Sequence, residues 1–227
     1  MKHLFLIISL MLAGAAAVSA QLPFERLKRE KPDLEKIQKE ITDRSSKYFY
    51  PALMKEYLSN DTTMTLDKYR RLYLGYMFQE DYDPYRPSPA PEMNSNLYHT
   101  TNPTGAQCEE IISNARTALA NNPFDLRQMS AMITALDILG QKDLAKIWQY
   151  KLNHLLMTIV STGTGEDEER AWYIIEPQHE YVLLNMMGYQ VTNHLFYDPS
   201  YEYLTVVDVA SEKKGGFYFN LEPMLQE

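Results

Sequence analysis

The stretch YRRLYLGYMFQEDYDPY, from Tyr69 to Tyr85, is the part of the chain around which we expect the rest to fold. Read as a helix that begins at Leu66, it places apolar and tyrosine side chains on most of its circumference. A helix of this kind must be covered on most sides, and Gly75 indicates a point where a neighbouring backbone comes close. The pattern therefore predicts a central helix from Leu66 to Phe78, followed by an aromatic and acidic loop in which Tyr82 and Tyr85 are held against the core.

The first twenty residues have the pattern of a secretory signal peptide. Lys2 and His3 precede an apolar run from Leu4 to Val18, and Val18-Ser19-Ala20 has the small residues that signal peptidase accepts. A membrane anchor needs roughly 18 to 20 apolar residues, and this run is shorter. We therefore predict cleavage after Ala20, export to the periplasm, cell surface or extracellular space, and no integral membrane segment after cleavage.

Charge and cysteine content limit the possible partners and the sources of stability. The chain carries 22 basic and 30 acidic side chains, a formal charge of −8, which becomes −9 when Lys2 is removed with the leader. An acidic balance argues against nucleic acid and anionic membrane surfaces, so we expect a protein or glycan partner of the cell envelope. Cys108 is the single cysteine, so no intramolecular disulfide can form and Cys108 is interpreted as a small buried hydrophobe.

The mature chain changes from helical to strand periodicity near Ser161. Helices are predicted in its first part, with these bounds: Pro32–Ile41, Pro51–Leu58, Leu66–Phe78, Ala106–Ala120, Asp125–Leu139 and Lys142–Ile159. Strands are predicted in its last part, around a short helix from His179 to Met187: Ala171–Ile175, Tyr189–Tyr197, Tyr203–Val209 and Phe217–Leu221. We expect a single α+β domain over residues 21–227, with a helical part over 32–160 and a small, mainly antiparallel sheet over 171–221.

One helix pair has partial likeness to a known repeat. The two helices joined at Gly140, with Ala145 five residues further on, resemble a tetratricopeptide hairpin. The resemblance is incomplete, because Ile133, Gln149 and Met157 stand where that repeat has a glycine, an aromatic residue and a proline. No second full copy follows, so a stacked array of repeats is not expected.

No motif in the chain specifies a reaction. The histidines at 99, 154, 179 and 194 include no pair at the i, i+4 spacing of a helical zinc site. The glycines of STGTGEDEE, at 163 and 165, follow a helix, whereas a phosphate-binding loop joins a strand to a helix. The G-x-S-x-G signature of serine hydrolases is absent from the sequence. We therefore expect no cofactor and no metal site.

Two polar and aromatic clusters are expected to meet at the end of the central helix. The clusters lie after Tyr76 and around Trp172 to Tyr181, and the later segment is the apolar element left to cover the helix. Tyrosine rings beside carboxylates suit sugars or peptides, because each ring has an apolar face and a polar tip. The expected concave binding site is lined by Tyr76, Gln79, Tyr82, Tyr85, His179 and Glu180. The alternative is a filled junction, in which the tyrosines are buried and hydrogen-bonded and bind no ligand.

Five segments together resemble a known protein family. They are YPALMKEYLSNDTTMTLDKYRRLYLGYMFQEDYDPY (50–85), NPFDLRQM (122–129), LGQKDLAKIW (139–148), HEYVLLNMMG (179–188) and GGFYFNL (215–221). The chain resembles an uncharacterised, DUF4919-like domain-of-unknown-function family of secreted Bacteroidetes proteins. The likeness covers nearly all of the mature chain and is weakest after Val191. It implies an envelope or extracellular address and no particular catalytic residue.

Two functions of different classes are compatible with the sequence. The first is a non-catalytic binding or scaffold protein of the cell envelope, because a tetratricopeptide-like hairpin presents surfaces to partners and no catalytic constellation stands out. The alternative is a hydrolase that acts on envelope glycans or peptides through paired carboxylates, with Asp81, Asp83 or Glu180 as candidates.

Overall fold

The computed structural model describes residues 24, 27–91, 95–197 and 200–225, and the predicted signal peptide lies outside these residues. The described part contains seven α-helices and a four-stranded sheet near the C-terminus, which confirms the α+β class. Six helices precede the sheet: α1 (Leu34–Thr42), α2 (Tyr50–Leu58), α3 (Leu66–Gly75), α4 (Gly105–Asn121), α5 (Leu126–Ile138) and α6 (Lys142–Val160). Short 3₁₀ turns follow α3, at Tyr76–Phe78, and end the described chain, at Glu222–Met224.

The sheet is mixed, with strand order β1-β4-β3-β2. The short β1 (Trp172–Tyr173) is parallel to β4 (Lys214–Asn220), and β3 (Tyr201–Asp208) is antiparallel to both β4 and β2 (Tyr189–Tyr197). Helix α7 (Gln178–Met186) connects β1 to β2 and packs against β2. Two of the three pairings are antiparallel, as the sequence indicated, whereas the parallel pairing of β1 was not predicted.

Helix α3 is the central helix of the described fold. It begins after Thr65, whose side chain accepts a hydrogen bond from the Lys68 backbone N–H, an N-cap that satisfies one of the free donors of the first turn. Helices α1, α2 and α6 all contact it. Leu72, Tyr73 and Leu74 are fully buried, so the sequence-based prediction of a helix covered on most sides is confirmed.

Gly75 marks a close approach, although the approaching group differs from the one predicted. A Cβ placed on Gly75 would lie 3.0 Å from Ile41 Cδ1 and 3.3 Å from a ring carbon of Tyr50. The neighbours are therefore side chains of α1 and α2, and not a backbone segment. Missing side-chain volume at Gly75 is what allows these two helices to pack on the end of α3.

Two glycines that the sequence assigned to a hairpin loop lie inside a strand. Strand β4 begins at Lys214, and Gly215 and Gly216 are paired with Val206 and Thr205 of β3. The ring of Tyr203 occupies the space that a Cβ of Gly216 would need. Gly216 is therefore required by cross-strand packing, and the turn falls earlier in the chain.

The glycine-rich segment after α6 folds back on itself instead of forming a simple break. The backbone N–H groups of Thr164 and Gly165 both donate to the carbonyl of Arg170, at 2.9 and 2.8 Å. A Cβ on Gly163 would overlap that same carbonyl, so the close turn requires glycine there. This compact loop leads directly into β1, which begins at Trp172.

The helix pair α5 and α6 is joined at Gly140, whose φ of +71° lies in the left-handed region that glycine adopts without strain. The pair packs together, and α5 also packs on α4. The likeness to a tetratricopeptide hairpin stays a prediction. Cys108 on α4 is fully buried, in agreement with its interpretation as a core residue.

Candidate functional site

The end of α3 and the segment that follows β1 are in direct contact. The Tyr82 hydroxyl donates to the Ile175 carbonyl at 2.7 Å, and the Ile175 backbone N–H donates to the Tyr73 hydroxyl oxygen at 3.3 Å. Ile175 is itself fully buried. Two tyrosines from the central region therefore satisfy both backbone polar groups of one core residue near the sheet.

Tyr76 and Tyr82 form the aromatic wall of this junction. Tyr76 is 4% exposed, with its ring centroid 5.5 Å from that of Tyr82 and 5.0 Å from that of Phe124. Both contacts have edge-to-face geometry, the favourable arrangement for aromatic quadrupoles. Burial raises the pKa of Tyr76 to about 12. These two candidate binding residues are packed against protein at the junction.

Gln79 and Tyr85 differ from these two in their surroundings. Gln79 is half-buried, and its side-chain amide donates to the Gly75 carbonyl at 2.9 Å, where it satisfies the end of α3. Tyr85 is 66% exposed, so the expectation that the core holds its side chain is wrong. Of the six candidate residues, Tyr85 is the one with a largely free ring.

His179 is fully buried, and both of its ring nitrogens are engaged. Nε2 lies 2.9 Å from the Phe124 carbonyl and Nδ1 lies 2.7 Å from the Tyr73 hydroxyl. A carbonyl only accepts, so Nε2 carries the proton; Nδ1 of the neutral ring then accepts from Tyr73. Burial lowers the pKa of His179 to about 4, which keeps the ring neutral at pH 7. The chain Ile175–Tyr73–His179–Phe124 is fully hydrogen-bonded and links α3, α7 and the residues before α5.

Replacing Tyr73 with Phe is expected to lower the free energy of unfolding by about 1–3 kcal/mol, because it leaves a buried imidazole nitrogen and a buried backbone N–H without partners. Urea unfolding followed by circular dichroism measures this loss. Tyr85→Phe is the matched control, since it removes a hydroxyl from an exposed ring and should leave stability unchanged. Equal stability of the two variants would show that the buried chain of hydrogen bonds contributes nothing.

Glu176 is a second buried group at the junction. It is 3% exposed and accepts hydrogen bonds from Asn122 Nδ2, at 2.7 Å, and from the Gln178 side-chain amide. Its Oε2 lies 3.6 Å from His179 Nε2, whose proton is directed to Phe124. Burial raises the pKa of Glu176 to about 7, although the two amide donors oppose this shift.

Glu180 belongs to a separate carboxyl pair between α7 and the sheet. It is 1% exposed, and as a carboxylate neither of its oxygens receives a hydrogen bond from the described residues. A protonated Glu180 can donate to Glu202 of β3, which is 5% exposed. Glu202 in turn accepts from His194 Nδ1 of β2 at 2.9 Å, and His194 is about half exposed. Burial, and then the charge of Glu202, raise the pKa of Glu180 well above its usual range.

The structure therefore separates the six candidates into different surroundings. Tyr76, Tyr82 and His179 lie at the α3 junction, Gln79 caps the end of α3, and Tyr85 is exposed. Glu180 faces Glu202 and lies within electrostatic reach of Tyr73, whereas the side chain of Gln79 is bonded to the Gly75 carbonyl. Whether these residues bind a ligand stays a prediction.

Sequence reasoning missed Tyr73, Glu176 and Glu202 as members of these clusters. One signal could have found Glu202: it lies two and four residues before Leu204 and Val206, which point into the core from β3. Because the sequence placed the start of this strand at Tyr203, the carboxylate in the same inward row was left outside it. For Tyr73, helical spacing predicts burial but carries no information on its partner.

The described residues lack both a metal-binding cluster and a membrane-spanning helix. No cluster of three or more His, Cys, Asp or Glu side chains there could hold a metal ion. In the same residues, no helix combines the length and the apolar character needed to cross a membrane.

Comparison with known proteins identifies the family. Residues 35–227 match the family described as Domain of unknown function (DUF4919). The chain belongs to this family. The match spans α1 to the C-terminus, so all the clusters described above lie within the family domain. Neither a curated protein nor a solved structure matches the chain.

Proposed function

We propose that this DUF4919 protein is a secreted, non-catalytic binding or scaffold protein of the bacterial cell envelope. The pattern of its first twenty residues supports export, and its resemblance to secreted Bacteroidetes proteins supports the envelope address. The chemically capable groups at the α3 junction support a role without catalysis. His179 and Glu176 are buried and bonded to protein groups, so neither is presented to a substrate.

The observation that carries the proposal is the exposed outer strand of the sheet. Strand β2 is nine residues long and pairs only with β3 in the described sheet, so its other edge is open. Leu195 is 45% exposed and Phe196 is 69% exposed. Because neighbouring strand residues point to opposite faces, apolar surface is presented on both faces of β2.

An open strand edge with exposed apolar side chains suits an extended segment of another protein. The unpaired N–H and C=O groups can add a further strand, while alternate side chains supply affinity and selectivity. Natural proteins usually protect such edges with lysine, proline or a bulge. Here a bulge at Thr192 lies before the exposed pair, and the rest of β2, residues 193–197, contains no Lys, Arg, Asp or Glu. We therefore infer an extended peptide segment of an envelope protein as the partner.

Phe196→Lys and Leu195→Lys are expected to reduce partner capture from envelope extracts by about tenfold or more each. Losing the burial of one large apolar side chain costs about 1.5–3 kcal/mol, and 1.4 kcal/mol corresponds to tenfold in affinity. The matched control is Ile138→Lys, since Ile138 is 49% exposed at the end of α5, outside the sheet. Quantitative pulldown with the three variants, each shown to be folded, measures the effect. Equal capture by all three would rule out β2 as the binding edge.

One observation favours a second candidate function, a hydrolase acting on envelope glycans or peptides. Glu180 and Glu202 form a carboxyl pair, and paired carboxyl groups carry the chemistry of most glycosidases. A screen of glycosidase and peptidase substrates tests it. Turnover that Glu180→Gln abolishes, in protein that stays folded, would establish the hydrolase and overturn the non-catalytic proposal.

A further inference from the structure

A cavity of about 580 Å³ lies beside the first turn of α3, at the opposite end of this helix from the Tyr73–His179 junction. Its volume is in the range of small-molecule sites. Charged side chains dominate its wall, and basic residues outnumber acidic ones by four to two: Lys28, Lys47, Lys68, Arg70, Glu30 and Asp67. The local excess of positive charge contrasts with the net charge of −8 of the whole chain.

Both carboxylates of the wall already have cationic partners. Glu30 pairs with Lys28 at 2.5 Å, and Asp67 pairs at 3.2 Å with Arg71, from the next turn of α3, which also pairs with Glu40 at 2.9 Å. Lys68 is also occupied, because it pairs with Glu56 of α2 at 2.6 Å. These pairs leave two of the four basic side chains of the wall without a carboxylate partner in the described part of the chain.

Arg70 and Lys47 are the two basic side chains of the wall that have no carboxylate of the described residues within 4.0 Å. Lys47 is exposed, with its Nζ 4.8 Å from the ring centroid of Tyr48. Arg70 is half-buried, and a guanidinium in that position is ordinarily paired with an anion.

The Arg70 side chain is held in place by neutral oxygen atoms. It donates to Ser161 Oγ and, at 3.0 Å, to the backbone carbonyl of Glu30. Ser161 is 1% exposed and its own hydroxyl donates to the Thr158 carbonyl at 2.7 Å, so it is oriented to accept from Arg70. The Glu30 backbone N–H donates to the Ser161 carbonyl at 2.8 Å, which closes the support around the guanidinium.

This support orients the charge without neutralising it. A guanidinium has five N–H donors, and the two neutral acceptors leave donors for a further partner. Burial, and then the neighbouring Arg71, lower the pKa of Arg70, while Glu30 and Asp67, beyond salt-bridge distance, act in the opposite direction. An oxyanion with several acceptor oxygens would provide further hydrogen bonds and a directly bonded counter-charge.

We propose that this cavity binds a dianionic oxyanion, the sulfate or phosphate group of a small ligand, with Arg70 as the oriented donor and Lys47 as the second cation. Arg70 and Lys47, the two cations of the wall with no described carboxylate within 4.0 Å, match two negative charges on the ligand. A carboxylate carries one negative charge and would leave one of these two cations without a partner. This site is independent of the β2 edge and of the carboxyl pair.

Isothermal titration calorimetry on the mature chain tests the proposal with sodium sulfate, sodium phosphate and sodium glucuronate, each against sodium chloride at equal ionic strength. Sulfate and phosphate are expected to bind, and chloride is not. Arg70→Gln should weaken binding by at least about tenfold, since it removes an oriented charged donor. Lys47→Met should weaken it about threefold or more, and the exposed Lys142→Met on α6 is the control with unchanged affinity.

Several results would overturn the site. They are no heat with either dianion, an equal response to chloride, or an equal loss in Lys142→Met, which would indicate general charge attraction. Glucuronate binding as tightly as sulfate would overturn the dianion class. Because Arg70 supports the Glu30–Ser161 contact, Arg70→Gln can also disturb folding; the exposed Lys47→Met then decides, and unchanged affinity in that variant contradicts the proposal.

Discussion

Trp172→Ala is expected to lower the free energy of unfolding by about 3–5 kcal/mol, the usual loss for a buried aromatic side chain. Trp172 is 2% exposed in the short strand β1. Its ring stacks on Phe217, with centroids 5.0 Å apart, and meets the edge of Phe219 at 5.5 Å. Its indole N–H donates to the Gly163 carbonyl at 3.0 Å, so the variant also frees a buried acceptor.

The loss should be concentrated where the helical part joins the sheet. Gly165 packs beneath the indole ring, and the Tyr218 backbone N–H donates to the Gly165 carbonyl at 2.9 Å. Removing the ring therefore weakens both the glycine-rich loop and its attachment to β4. Hydrogen exchange of the Tyr218 amide should accelerate more than that of amides in α3.

Urea unfolding followed by circular dichroism measures the effect, with Trp148→Ala as the matched control. Trp148 lies on α6 and is only partly buried, so its truncation should cost less than about 2 kcal/mol. If the two variants lost the same stability, Trp172 would not be the link between the loop and the sheet. Loss of a cooperative transition in Trp172→Ala would agree with the prediction at its upper limit.

Helix positions could be predicted from the sequence because their signals are local. The central helix begins at Leu66, as predicted, since Thr65 caps its first turn. Helix α6 begins at Lys142, as predicted, directly after Gly140 ends the preceding helix. Apolar spacing and capping residues act within a few positions of each other, so they can be read without knowing the tertiary structure.

Strand boundaries and contacts between distant segments were harder to predict. The sequence extended the first strand to Ile175, but Ile174 and Ile175 are buried beyond the paired residues, because α7 begins after Pro177. Apolar side chains indicate that a segment is buried, but they do not show whether its backbone pairs with another strand. The starts of β3 and β4 were both placed too late, since strand limits depend on a partner strand elsewhere in the chain.

The partners of the candidate site residues depend on the same long-range geometry. His194 reaches Glu202 because the bulge at Thr192 sets the register between β2 and β3. The sequence around Thr192 contains no pattern from which that bulge could be predicted. The segment 172–181 was expected to cover the end of α3, and Tyr73 and Tyr82 do contact it. A sequence pattern can bring two segments together in this way, but it does not tell a filled junction from an open one.

Glu180→Gln is expected to make the protein more stable than wild type at alkaline pH and to flatten the pH dependence of its stability. Burial, together with Glu202, raises the pKa of Glu180 to about 9, from an ordinary value of 4.5. Between these values the folded state holds a proton that the unfolded chain has released. The free energy of unfolding therefore falls as pH rises through this window, by up to about 1.4 kcal/mol per pH unit for one proton. A glutamine amide fits the same space, can donate to Glu202 and has no proton to lose.

The surroundings of Glu180 decide where this effect can be isolated. Glu202, which is bonded to His194, faces it from the sheet, and Tyr73 and the half-exposed Tyr181 lie within its electrostatic reach. The pKa of Glu176 is about 7, so this group also makes the free energy of unfolding fall as pH rises from 4.5 to 7. The pKa of His179 is about 4, so this group has the opposite effect. Its unfolded form takes up a proton as pH falls from 6.5 to 4, and the free energy of unfolding falls with it.

The range from pH 7.5 to 9 is therefore the one in which Glu180 should dominate among these three groups. Urea unfolding across that range should give a falling stability for wild type and a nearly level one for Glu180→Gln. Glu168→Gln is the control, because it removes an exposed carboxyl from the acidic run after α6 and should follow wild type. If Glu180→Gln kept the wild-type slope, the buried carboxyl would be ionised in the folded protein. An ionised Glu180 would repel Glu202 across the contact between α7 and the sheet. The pair would then hold no shared proton, which acid–base catalysis by these two carboxyl groups requires.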